Sequence, residues 1–387
     1  MRAGFERALG SIDPVHVTAD AVSGLDGGRI DVLAIGKASL GMLDGARRSL
    51  GGRVGSVVSV SDQPDPDRSP SHHVGEHPFP GPGSLAAGRA ALDLARTSSA
   101  DRLLVLISGG GSSIAVAPPP GVTVVELAQL IQRLMDSAVP IRELNLVRRS
   151  LSQIKNGRLL ASARVPVSSL IISDVIDEPA STVASGPTLF EEVDPAEVEA
   201  IVEGAGVSMT PAMRNWIRRP VDPAAVDHSW SVIASGRTAA AALANALEVA
   251  PPDSGFQGRA ADTARRFVGD APVGFNVGYG ETTVEVTGSG KGGRNTEAAL
   301  AVALLLDGND DVVFGAFATD GVDGSSGAAG AIVDGGTAGR IRRGGIDPAH
   351  ALQTNDSATA REVSGDLVVT GPTGTNVADL WVSWRDR

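Results

Sequence analysis

The sequence predicts an α/β protein built on a doubly wound parallel sheet, with a second α/β unit after it. Segments of strand character alternate with segments of helical periodicity, which is the pattern of βαβ units. The strand segment at 103–107 is apolar throughout and that at 170–173 is apolar except for Ser173, as expected for parallel strands covered on both faces. The chain has 387 residues. Domains usually contain roughly 100–200 residues, so we expect two.

The first predicted unit has four strands and four helices. A stretch rich in Pro, Asp and His at 62–82 predicts a loop, and Ser84 is expected to cap the helix after it. Thr123 and Glu126 have the spacing of a capping box that opens a further helix. In chain order, strands are predicted at 30–35, 54–60, 103–108 and 170–173, and helices at 38–50, 84–95, 123–138 and 194–202.

A second unit is predicted to begin near His228, which divides the chain into domains 1–228 and 229–387. The stretch 218–227 carries two prolines and mixed charge, and it is the candidate linker. Strands are predicted at 231–234, 273–279, 282–287, 312–318 and 367–370, with helices at 239–249 and 295–306.

Composition excludes several classes of protein. The net charge of −12 and the small aromatic content (8 Phe, 4 Trp, 1 Tyr) argue against nucleic-acid binding. The longest apolar runs are far shorter than the roughly 20 residues of a membrane-spanning helix, so no membrane partner is expected. Residues 1–10 are charged and lack the apolar core of a secretory signal. The absence of cysteine excludes thiolate chemistry and fits a cytoplasmic location.

Lysine is rare: the 33 basic residues include only Lys37, Lys155 and Lys291. Where arginine has replaced most lysines, a remaining lysine tends to mark a position that requires a compact ammonium group. Lys37 directly follows a buried-looking strand, so we expect it to be the functional one.

Two glycine-rich loops follow apolar strands and are candidates for binding nucleotide phosphates. Consecutive glycines and hydroxyls expose backbone N–H groups that a phosphate can contact. A tight turn without a ligand is the alternative, and for the second loop a Pro-Gly turn is equally compatible with the pattern. The first loop comprises Ser108, Gly109, Gly110, Gly111, Ser112 and Ser113, and the second contains Thr373, Gly374, Thr375 and Asn376.

Acidic residues also follow strands. Asp320 comes after the strand at 312–318, and Asp174 after the strand at 170–173. A carboxylate at this end of a strand in an α/β protein faces the usual ligand crevice, where it can accept a proton or hold Mg²⁺. The alternative for both is an ordinary turn, and Asp323 fits that alternative.

The segment 288–295 matches G-x-G-x-x-G, but we do not interpret it as a dinucleotide site. The residues before it alternate between polar and apolar, whereas the first strand of a dinucleotide fold is buried on both faces. Lys291 and Arg294 instead indicate a cationic clamp for phosphate or carboxylate.

Two further clusters have structural explanations. His72, His73 and His77 lie in the Pro-rich loop without matched carboxylates, which favours solvent exposure over metal binding. A second cluster is predicted to form a solvated helix face, although Asn145 within it makes a ligand-facing side conceivable; it comprises Arg142, Arg148, Arg149 and Lys155.

In order along the chain, ten segments resemble the type II glycerate kinases, the glycerate 2-kinase family with a C-terminal MOFRL domain. The resemblance covers nearly the whole chain. Its segments are Ala34-Ile-Gly-Lys-Ala-Ser39, Gly75-Glu-His-Pro-Phe-Pro80, 108–113, 145–158, Ile172-Ser-Asp-Val175 with Ala184-Ser-Gly-Pro-Thr188, Gly280-Glu-Thr-Thr283, Lys291-Gly-Gly-Arg-Asn295, 319–324, Asn355-Asp-Ser357 and 370–376.

The resemblance implies a larger Rossmann-like N-terminal domain, a smaller MOFRL-like domain and an active site in the interdomain cleft. It implies transfer of phosphate from ATP, with Mg²⁺, to the 2-hydroxyl of D-glycerate, and a homodimer. Lys37, Arg294, Asp320 and Asp174 match the catalytic residues of the family, with Asp174 and Asp320 as metal ligands. Lys37, Arg294 and Glu281 are the expected substrate-binding residues.

Two departures from the family pattern bear on the substrate. Alanines and a threonine follow Asn355-Asp-Ser, where the family commonly has aromatics, and His77-Pro-Phe-Pro-Gly81 replaces its usual His-Pro-Val-Pro-Asp. Another small 2-hydroxy acid therefore stays open as substrate. Hydroxypyruvate reduction with NAD(P)H is the alternative activity, and a non-catalytic nucleotide sensor is disfavoured because all four catalytic positions are retained.

Overall fold

The computed structural model describes residues 1–65, 67, 69, 71–222 and 226–386. Residue contacts divide the chain into two compact units. The first unit comprises Pro14–Ser173 and Glu178–Ile233, and the second comprises Met1–Asp13, Asp174–Asp177 and Ala234–Arg387. The chain thus enters the second unit briefly at 174–177 before its C-terminal part. The predicted domain boundary after residue 228 stays a prediction; part of the proposed linker, 223–225, lies outside the described residues.

The first unit contains a six-stranded sheet in the order β3-β2-β1-β4-β5-β6. Strands β1 to β5 pair in parallel. Their apolar sequences explain this arrangement, because β1 and β5 are buried along their whole length. The strands are β1 (Ile30–Ile35), β2 (Val54–Ser61), β3 (His72–Val74), β4 (Arg102–Ile107), β5 (Val167–Ile172) and β6 (His228–Ala234).

The second unit contains a mixed sheet in the order β11-β10-β9-β12-β8-β7. Its central pairs are antiparallel, and only β7 and β8 pair in parallel among the pairs described. Trp381 of the central strand is fully buried and stacks on Phe256. The strands are β7 (Phe256–Arg259), β8 (Gly274–Thr283), β9 (Val312–Ala318), β10 (Gly330–Val333), β11 (Leu367–Val368) and β12 (Asp379–Arg385).

Sixteen α-helices, numbered along the chain, occur in the part of the chain described above. They are α1 (Arg2–Ser11), α2 (Pro14–Val22), α3 (Ser39–Leu50), α4 (Pro82–Thr97), α5 (Gly111–Ile114), α6 (Val124–Asp136), α7 (Ile141–Ser150), α8 (Arg158–Ser162), α9 (Pro195–Gly204), α10 (Pro211–Ile217), α11 (Gly236–Ala246), α12 (Ala260–Gly269), α13 (Arg294–Leu305), α14 (Thr337–Arg343), α15 (Pro348–Gln353) and α16 (Ser357–Ser364). Short 3₁₀ turns occupy Gly51–Arg53 and Ala180–Ser185. None of the helices described is long and apolar enough to span a bilayer.

The predicted α/β class is confirmed, with local corrections. The segment 231–234, assigned to the second unit, is part of β6 and joins the first sheet. The predicted strands at 273–279 and 282–287 are not separate strands. One strand, β8, runs from Gly274 to Thr283 and pairs first with β12 and then with β7, whereas residues 284–287 do not belong to a strand. Ser84 does not cap its helix: Gly81 occupies the cap position, and Ser84 lies in the first turn of α4. The capping box of Thr123 and Glu126 is confirmed.

Candidate active site

The order of the first sheet places one predicted loop and one predicted lysine at the same point. Strands are added in one direction from β1 to β3 and in the opposite direction from β4 to β6, so the adjacent strands β1 and β4 form the topological switch point. Their last residues, Ile35 and Ile107, are register partners. Ligands of open parallel sheets bind outside the carboxyl ends of the strands at such a switch point. Lys37 follows β1, and the loop 108–113 follows β4, so both lie at this position.

The Lys37 segment and the loop contact each other closely. The Lys37 amide donates to the Gly109 carbonyl at 2.9 Å, and the Ala38 amide donates to Ser108 Oγ at 3.0 Å. A Cβ on Gly110 would lie 3.0 Å from Lys37 Cγ, so the exposed lysine side chain extends across this glycine. Gly110 also has a left-handed backbone, with φ at 81°. A glycine is therefore required at this position for two independent reasons.

A second strained segment supports the loop. Ala184, Ser185 and Gly186 are all left-handed, with φ of 50°, 62° and 63°. Non-glycine residues adopt this conformation at a cost, and such residues concentrate at functional sites. The Ser185 hydroxyl lies 2.8 Å from the Ser112 hydroxyl, which joins this segment to the candidate phosphate loop. The segment belongs to the Ala-Ser-Gly-Pro-Thr motif singled out in the sequence.

Lys155 is a residue whose importance sequence reasoning missed. It was predicted to lie on a solvated helix face, but its side chain is only 3% exposed and it lies after the end of α7. Its ammonium donates to the carbonyl oxygen of Ser112. Burial, and secondarily the charge of Arg148, lowers the pKa of Lys155 to about 7. Its rarity as one of three lysines was the available signal, but that argument favoured Lys37.

The arginines Arg148 and Arg149 of that basic stretch have different environments. Arg149 pairs with Glu191, whose other carboxylate oxygen accepts from the Ser181 hydroxyl. Arg148 is half-buried, and burial lowers its pKa. The prediction of a solvated face is therefore wrong for Lys155, which bonds to Ser112, and incomplete for Arg148 and Arg149. Arg148 lines one small concavity together with Ser112 and Ser113.

In the second unit, two predicted segments and one strand that was not predicted meet at one edge of the mixed sheet. Asp379, the first residue of β12, has Gly280 of β8 and Ala318 of β9 as its register partners. Because β12 runs opposite to both neighbours, its start lies beside their ends. Glu281 comes directly after Gly280, and Asp320 lies two residues after Ala318. The sheet thus brings acidic residues from three strands to a common edge.

Arg294 is held at this edge by two carboxylates. It forms an ion pair with Glu281, and its Nε lies 3.2 Å from Asp379 Oδ2. Asp379 is 1% exposed, and burial raises its pKa to about 7 although the charge of Arg294 acts in the opposite direction. Asn295 donates a further hydrogen bond to Asp379 at 2.9 Å. Arg294 and Glu281 were predicted from the sequence as site residues, but Asp379, which starts a strand that was not predicted, was not singled out.

Asp320 lies where two motif loops meet. Its carboxylate accepts from the Val322 amide at 2.9 Å, and its backbone carbonyl accepts from the Thr373 amide at 3.1 Å. The Thr373 hydroxyl donates to the Thr319 carbonyl at 2.6 Å. The second glycine-rich loop, which includes Gly374, Thr375 and Asn376, therefore begins against the Asp320 loop.

Asp323 has a structural role. It is buried and accepts hydrogen bonds from the amides of Asn295 and Thr296, at 2.9 and 2.8 Å. These amides are at the start of α13 and have no partner within the helix. Asp323 therefore accepts hydrogen bonds from the first amides of α13, the helix that begins with Arg294. The prediction of a simple turn did not include this role.

The glycines at 288–293 are packed against protein backbone. A Cβ on Gly288 would lie 2.2 Å from the Thr354 carbonyl oxygen, and one on Gly290 would lie 2.5 Å from Asp356 Cα. The Lys291 amide donates to Asp356 Oδ1 at 3.0 Å. These glycines permit close approach of the Asn-Asp-Ser motif, which accounts for them without a dinucleotide. The Lys291 side chain is exposed.

Asp174 belongs to the same unit as Asp320 and Arg294. The segment 174–177 is fixed in that unit by Asp177, whose carboxylate accepts from the Tyr279 hydroxyl and the Gly255 amide, both at 2.7 Å. Arg237 adds an ion pair to Asp177 at 3.0 Å. Asp174 is thus three residues from a firmly held position on the second unit.

The histidines do not form a metal centre. His77 is exposed, as predicted, but His72 is half-buried and its Nδ1 lies 2.9 Å from Ser59 Oγ. Within the described ranges, no group of three or more His, Asp, Glu or Cys side chains has the arrangement of a metal site.

Comparison with known proteins gives a consistent result. A family model described as a domain of unknown function (DUF4147) matches residues 1–218, and the MOFRL family model matches residues 275–379. The chain is 31% identical to a D-glycerate 2-kinase of Thermotoga maritima, over 97% of this chain and 95% of the relative. It is 34% identical to a protein of Agrobacterium vitis with the provisional name hydroxypyruvate reductase, over 98% and 92%.

A solved structure agrees with the sequence matches. The crystal structure of glycerate kinase from Thermotoga maritima superposes with a TM-score of 0.89 at 29% identity, covering 99% of this chain and 98% of the other. Both family models match in the expected order, and the similarity extends over almost the full length of both chains. The chain belongs to the type II glycerate kinase family, the DUF4147 and MOFRL enzymes.

Proposed function

We propose that this protein transfers the γ-phosphoryl group of ATP to the 2-hydroxyl of D-glycerate, which yields 2-phosphoglycerate and ADP. The observation that carries the proposal is the position of Lys37 and the loop 108–113 together at the switch point of the first sheet. The 31% identity to a D-glycerate 2-kinase supports the choice of acceptor. The reaction breaks the bond between the γ-phosphorus and the bridging oxygen and forms one to the glycerate oxygen.

The proposed roles follow from charge and position. Loop 108–113 binds the nucleotide phosphates through backbone N–H groups and hydroxyls, with residues 373–376 as a second nucleotide contact. Lys37 neutralises charge on the transferring phosphoryl group, and Arg294 binds the phosphoryl group or the glycerate carboxylate, where a guanidinium can donate two parallel hydrogen bonds. Glu281 orients Arg294, because the two side chains form an ion pair. The location of the site in a cleft between the domains stays a prediction.

Asp320 is the proposed base for the glycerate hydroxyl, with Asp174 as the alternative. Only one Asp320 oxygen accepts a hydrogen bond from its own loop in the described structure. The second oxygen is therefore suited to accept a proton or to coordinate a cation. Asp174 and Asp320 offer the carboxylate oxygens that Mg²⁺ prefers, and Mg²⁺ in kinases takes few protein ligands because nucleotide phosphates supply others. When bound, Mg²⁺ would neutralise charge on those phosphates.

Reduction of hydroxypyruvate is the competing activity, and it carries the name of one relative. It would require the segment 288–293 to bind a dinucleotide. That segment is packed against the backbone at 354–357, so its glycines face protein atoms. This packing favours the kinase.

Two parallel assays separate the candidates. The first supplies D-glycerate, ATP and Mg²⁺ and follows ADP, with the phosphorylated carbon identified by NMR. The second supplies hydroxypyruvate with NADH or NADPH and follows absorbance of the reduced nicotinamide. We expect ADP and 2-phosphoglycerate in the first and no change in the second. Nicotinamide oxidation without ADP formation would overturn the proposal; the Lys37→Ala variant, purified identically, controls for contaminating kinases. A panel of small 2-hydroxy acids then defines the acceptor.

A further inference from the structure

The buried ammonium of Lys155 has no role in the reaction proposed above, and its surroundings require an explanation. It lies in a small concavity of the first unit beside loop 108–113. The lining includes the hydroxyl residues Ser112, Ser113 and Ser152 and a second cation, Arg148, but no carboxylate. Within the described residues, no acidic side chain lies within ion-pair distance of Lys155. Burial of an unpaired ammonium is costly, so stability alone does not account for this residue.

The contacts of Lys155 lead directly to the candidate phosphate loop. Its ammonium donates to the Ser112 carbonyl, and the Ser112 hydroxyl is in turn hydrogen-bonded to Ser185. The next residue, Asn156, is left-handed with φ at 50°, and its amide donates to the Ser185 carbonyl at 3.0 Å. Lys155 and Ser185 thus hold Ser112 from two directions, and the two strained segments are bonded to each other.

Charge provides a second, independent argument. Although the protein carries a net charge of −12, the loop has Lys37 extended across Gly110 and Lys155 bonded at Ser112. A positive charge in a low-dielectric environment is screened much less than one in water, so a buried ammonium acts strongly on an anion nearby. Lys155 is therefore positioned to favour phosphate binding at the loop without touching the phosphate.

We propose that Lys155 is a positioning residue for the nucleotide loop: it fixes the Ser112 carbonyl and supplies a buried positive charge that strengthens binding of the triphosphate. This inference rests on the proposed function, in which loop 108–113 binds the nucleotide phosphates. It assigns the 145–158 motif to nucleotide binding, whereas Arg294 and Glu281 serve the acceptor side of the reaction.

The test compares Lys155→Met, which has similar shape without charge or donor, with the wild-type enzyme. We expect Lys155→Met to bind a non-hydrolysable ATP analogue at least about tenfold more weakly at pH 6.5, with a matching rise in KM for ATP. KM for glycerate should change less than twofold. The melting temperature should stay equal or rise, because an unpaired buried charge has been replaced by an apolar group. Arg133→Met, which removes an exposed cation from neighbouring α6, is the matched control and should behave as wild type.

Lys155→Gln and a pH series keep the proposal testable if Lys155→Met folds poorly. Glutamine retains a donor for the Ser112 carbonyl but has no charge, so we again expect weakened analogue binding at pH 6.5. In the wild type, the pKa of Lys155 near 7 means that its charge, and with it affinity, declines as pH rises through and above neutrality. The ratio of wild-type to Lys155→Gln affinity should therefore fall between pH 6 and pH 9. The analogue, His77 and Arg148 titrate equally in both proteins, as does the Arg149–Glu191 pair, so their contributions cancel.

The outcomes are distinct. If the wild type binds no triphosphate analogue, the proposed function fails together with the inference. If the wild type binds it and both Lys155 variants bind equally well, only the inference fails. The inference would also be overturned if analogue affinity fell only in proportion to a lowered melting temperature and the ratio of wild-type to Lys155→Gln affinity did not change with pH. That pattern would indicate that Lys155 has a purely structural role.

Discussion

Arg294 and Asp379 form an ion pair at the edge of the second sheet, with Arg294 Nε 3.2 Å from Asp379 Oδ2 and Nη2 donating to Oδ1 at 3.2 Å. Asp379 is buried, whereas Arg294 is about one-third exposed. The guanidinium is therefore held by the buried Asp379 carboxylate and also contacts the more exposed carboxylate of Glu281. These contacts orient the Arg294 guanidinium before a ligand binds, so less conformational entropy of that side chain is lost on binding.

Replacement of Asp379 by Asn should change how stability depends on pH. Burial raises the folded-state pKa of Asp379 to about 7, well above its unfolded value near 3.8. The folded state therefore binds more protons between pH 4 and pH 7, and the contribution of Asp379 to stability declines as pH rises through that window. We expect the free energy of unfolding of the wild type, measured relative to Asp379→Asn, to fall by on the order of 1–3 kcal/mol from pH 4.5 to pH 7.5. Urea unfolding at several pH values measures it.

The exposed Asp93→Asn variant is the control for that series, since its stability difference from wild type should be small at every pH. A difference for Asp379→Asn that is constant, or that grows with pH, would show that Asp379 is ionised throughout and that Arg294 outweighs burial.

Alanine at Lys37 or at Arg294 should each reduce turnover by more than tenfold while leaving the fold intact. Both residues are proposed to neutralise charge on the substrates in the transition state, and removal of one such group commonly costs a factor of a hundred or more. Circular dichroism and melting temperature establish that the variants are folded. Arg48→Ala, which removes an exposed cation from the helix after Lys37, should retain wild-type kcat. Near wild-type rates from both Lys37→Ala and Arg294→Ala would refute the assignment.

Much of the fold was predictable because its strongest patterns are local. Continuous apolar strands such as β4 and β5 follow from burial on both faces, and the capping box at Thr123 follows from the hydrogen bonds of a helix terminus. The short helices after β10 were not predicted, because the glycine, aspartate and proline residues around them resemble loops. The strand β12 was also missed, although its sequence, Asp-Leu-Trp-Val-Ser-Trp-Arg, contains aromatic and β-branched residues typical of strands. In the fold, β12 pairs with β8 and β9, which are distant from it in the sequence.

The residues of the candidate site also fall into two groups: those whose local sequence pattern predicts a role, and those whose role depends on non-local packing. Residues that follow predicted strands, such as Lys37 and Asp320, were predicted as site residues because strand ends in α/β proteins face ligands. Lys155 and Asp379 were missed because their significance depends on burial, and burial depends on which distant segments pack against them. Lys155 acquires its contact from Ser112, a residue 43 positions away. Its charge made it resemble a solvated residue, although the scarcity of lysine and the motif around Lys155 were visible in the sequence.

Gly110→Ala should impair catalysis without unfolding the protein. Gly110 is left-handed at φ 81°, and a Cβ there would lie 3.0 Å from Lys37 Cγ. Alanine would therefore strain the loop, by roughly 1–2 kcal/mol, and displace the Lys37 side chain. We expect at least a tenfold loss of kcat/KM for ATP. The control is Gly10→Ala in α1, where a Cβ meets nothing within 4 Å. It should leave activity unchanged and stabilise slightly, so equal activity of both variants would argue against a role for Gly110.

Glu76 caps α4 from outside the helix, and its removal should be visible in acid. Its carboxylate accepts from the amides of Gly83 and Ser84, at 2.9 and 2.7 Å, and from the Ser84 hydroxyl. These hydrogen bonds outweigh partial burial and lower the pKa of Glu76 to about 2. The depressed pKa means that the stabilisation is present above pH 4.5 and is lost as pH falls towards 2. Glu76→Gln should cost about 1 kcal/mol at pH 7 and less at pH 3, as measured by urea unfolding.

Because Glu76 and Ser84 share one hydrogen bond, their substitutions should not add. We expect the double variant Glu76→Gln/Ser84→Ala to be destabilised by less than the sum of the single variants, with a coupling of at least about 0.5 kcal/mol at pH 7. Because the pKa of Glu76 is about 2, its carboxylate stays largely ionised at pH 3, so the coupling should persist there and decline only as pH falls to 2 and below. Strictly additive destabilisation at pH 7 would mean that the Glu76 carboxylate does not depend on the Ser84 hydroxyl, and that its hydrogen bonds to the Gly83 and Ser84 amides alone support the start of α4.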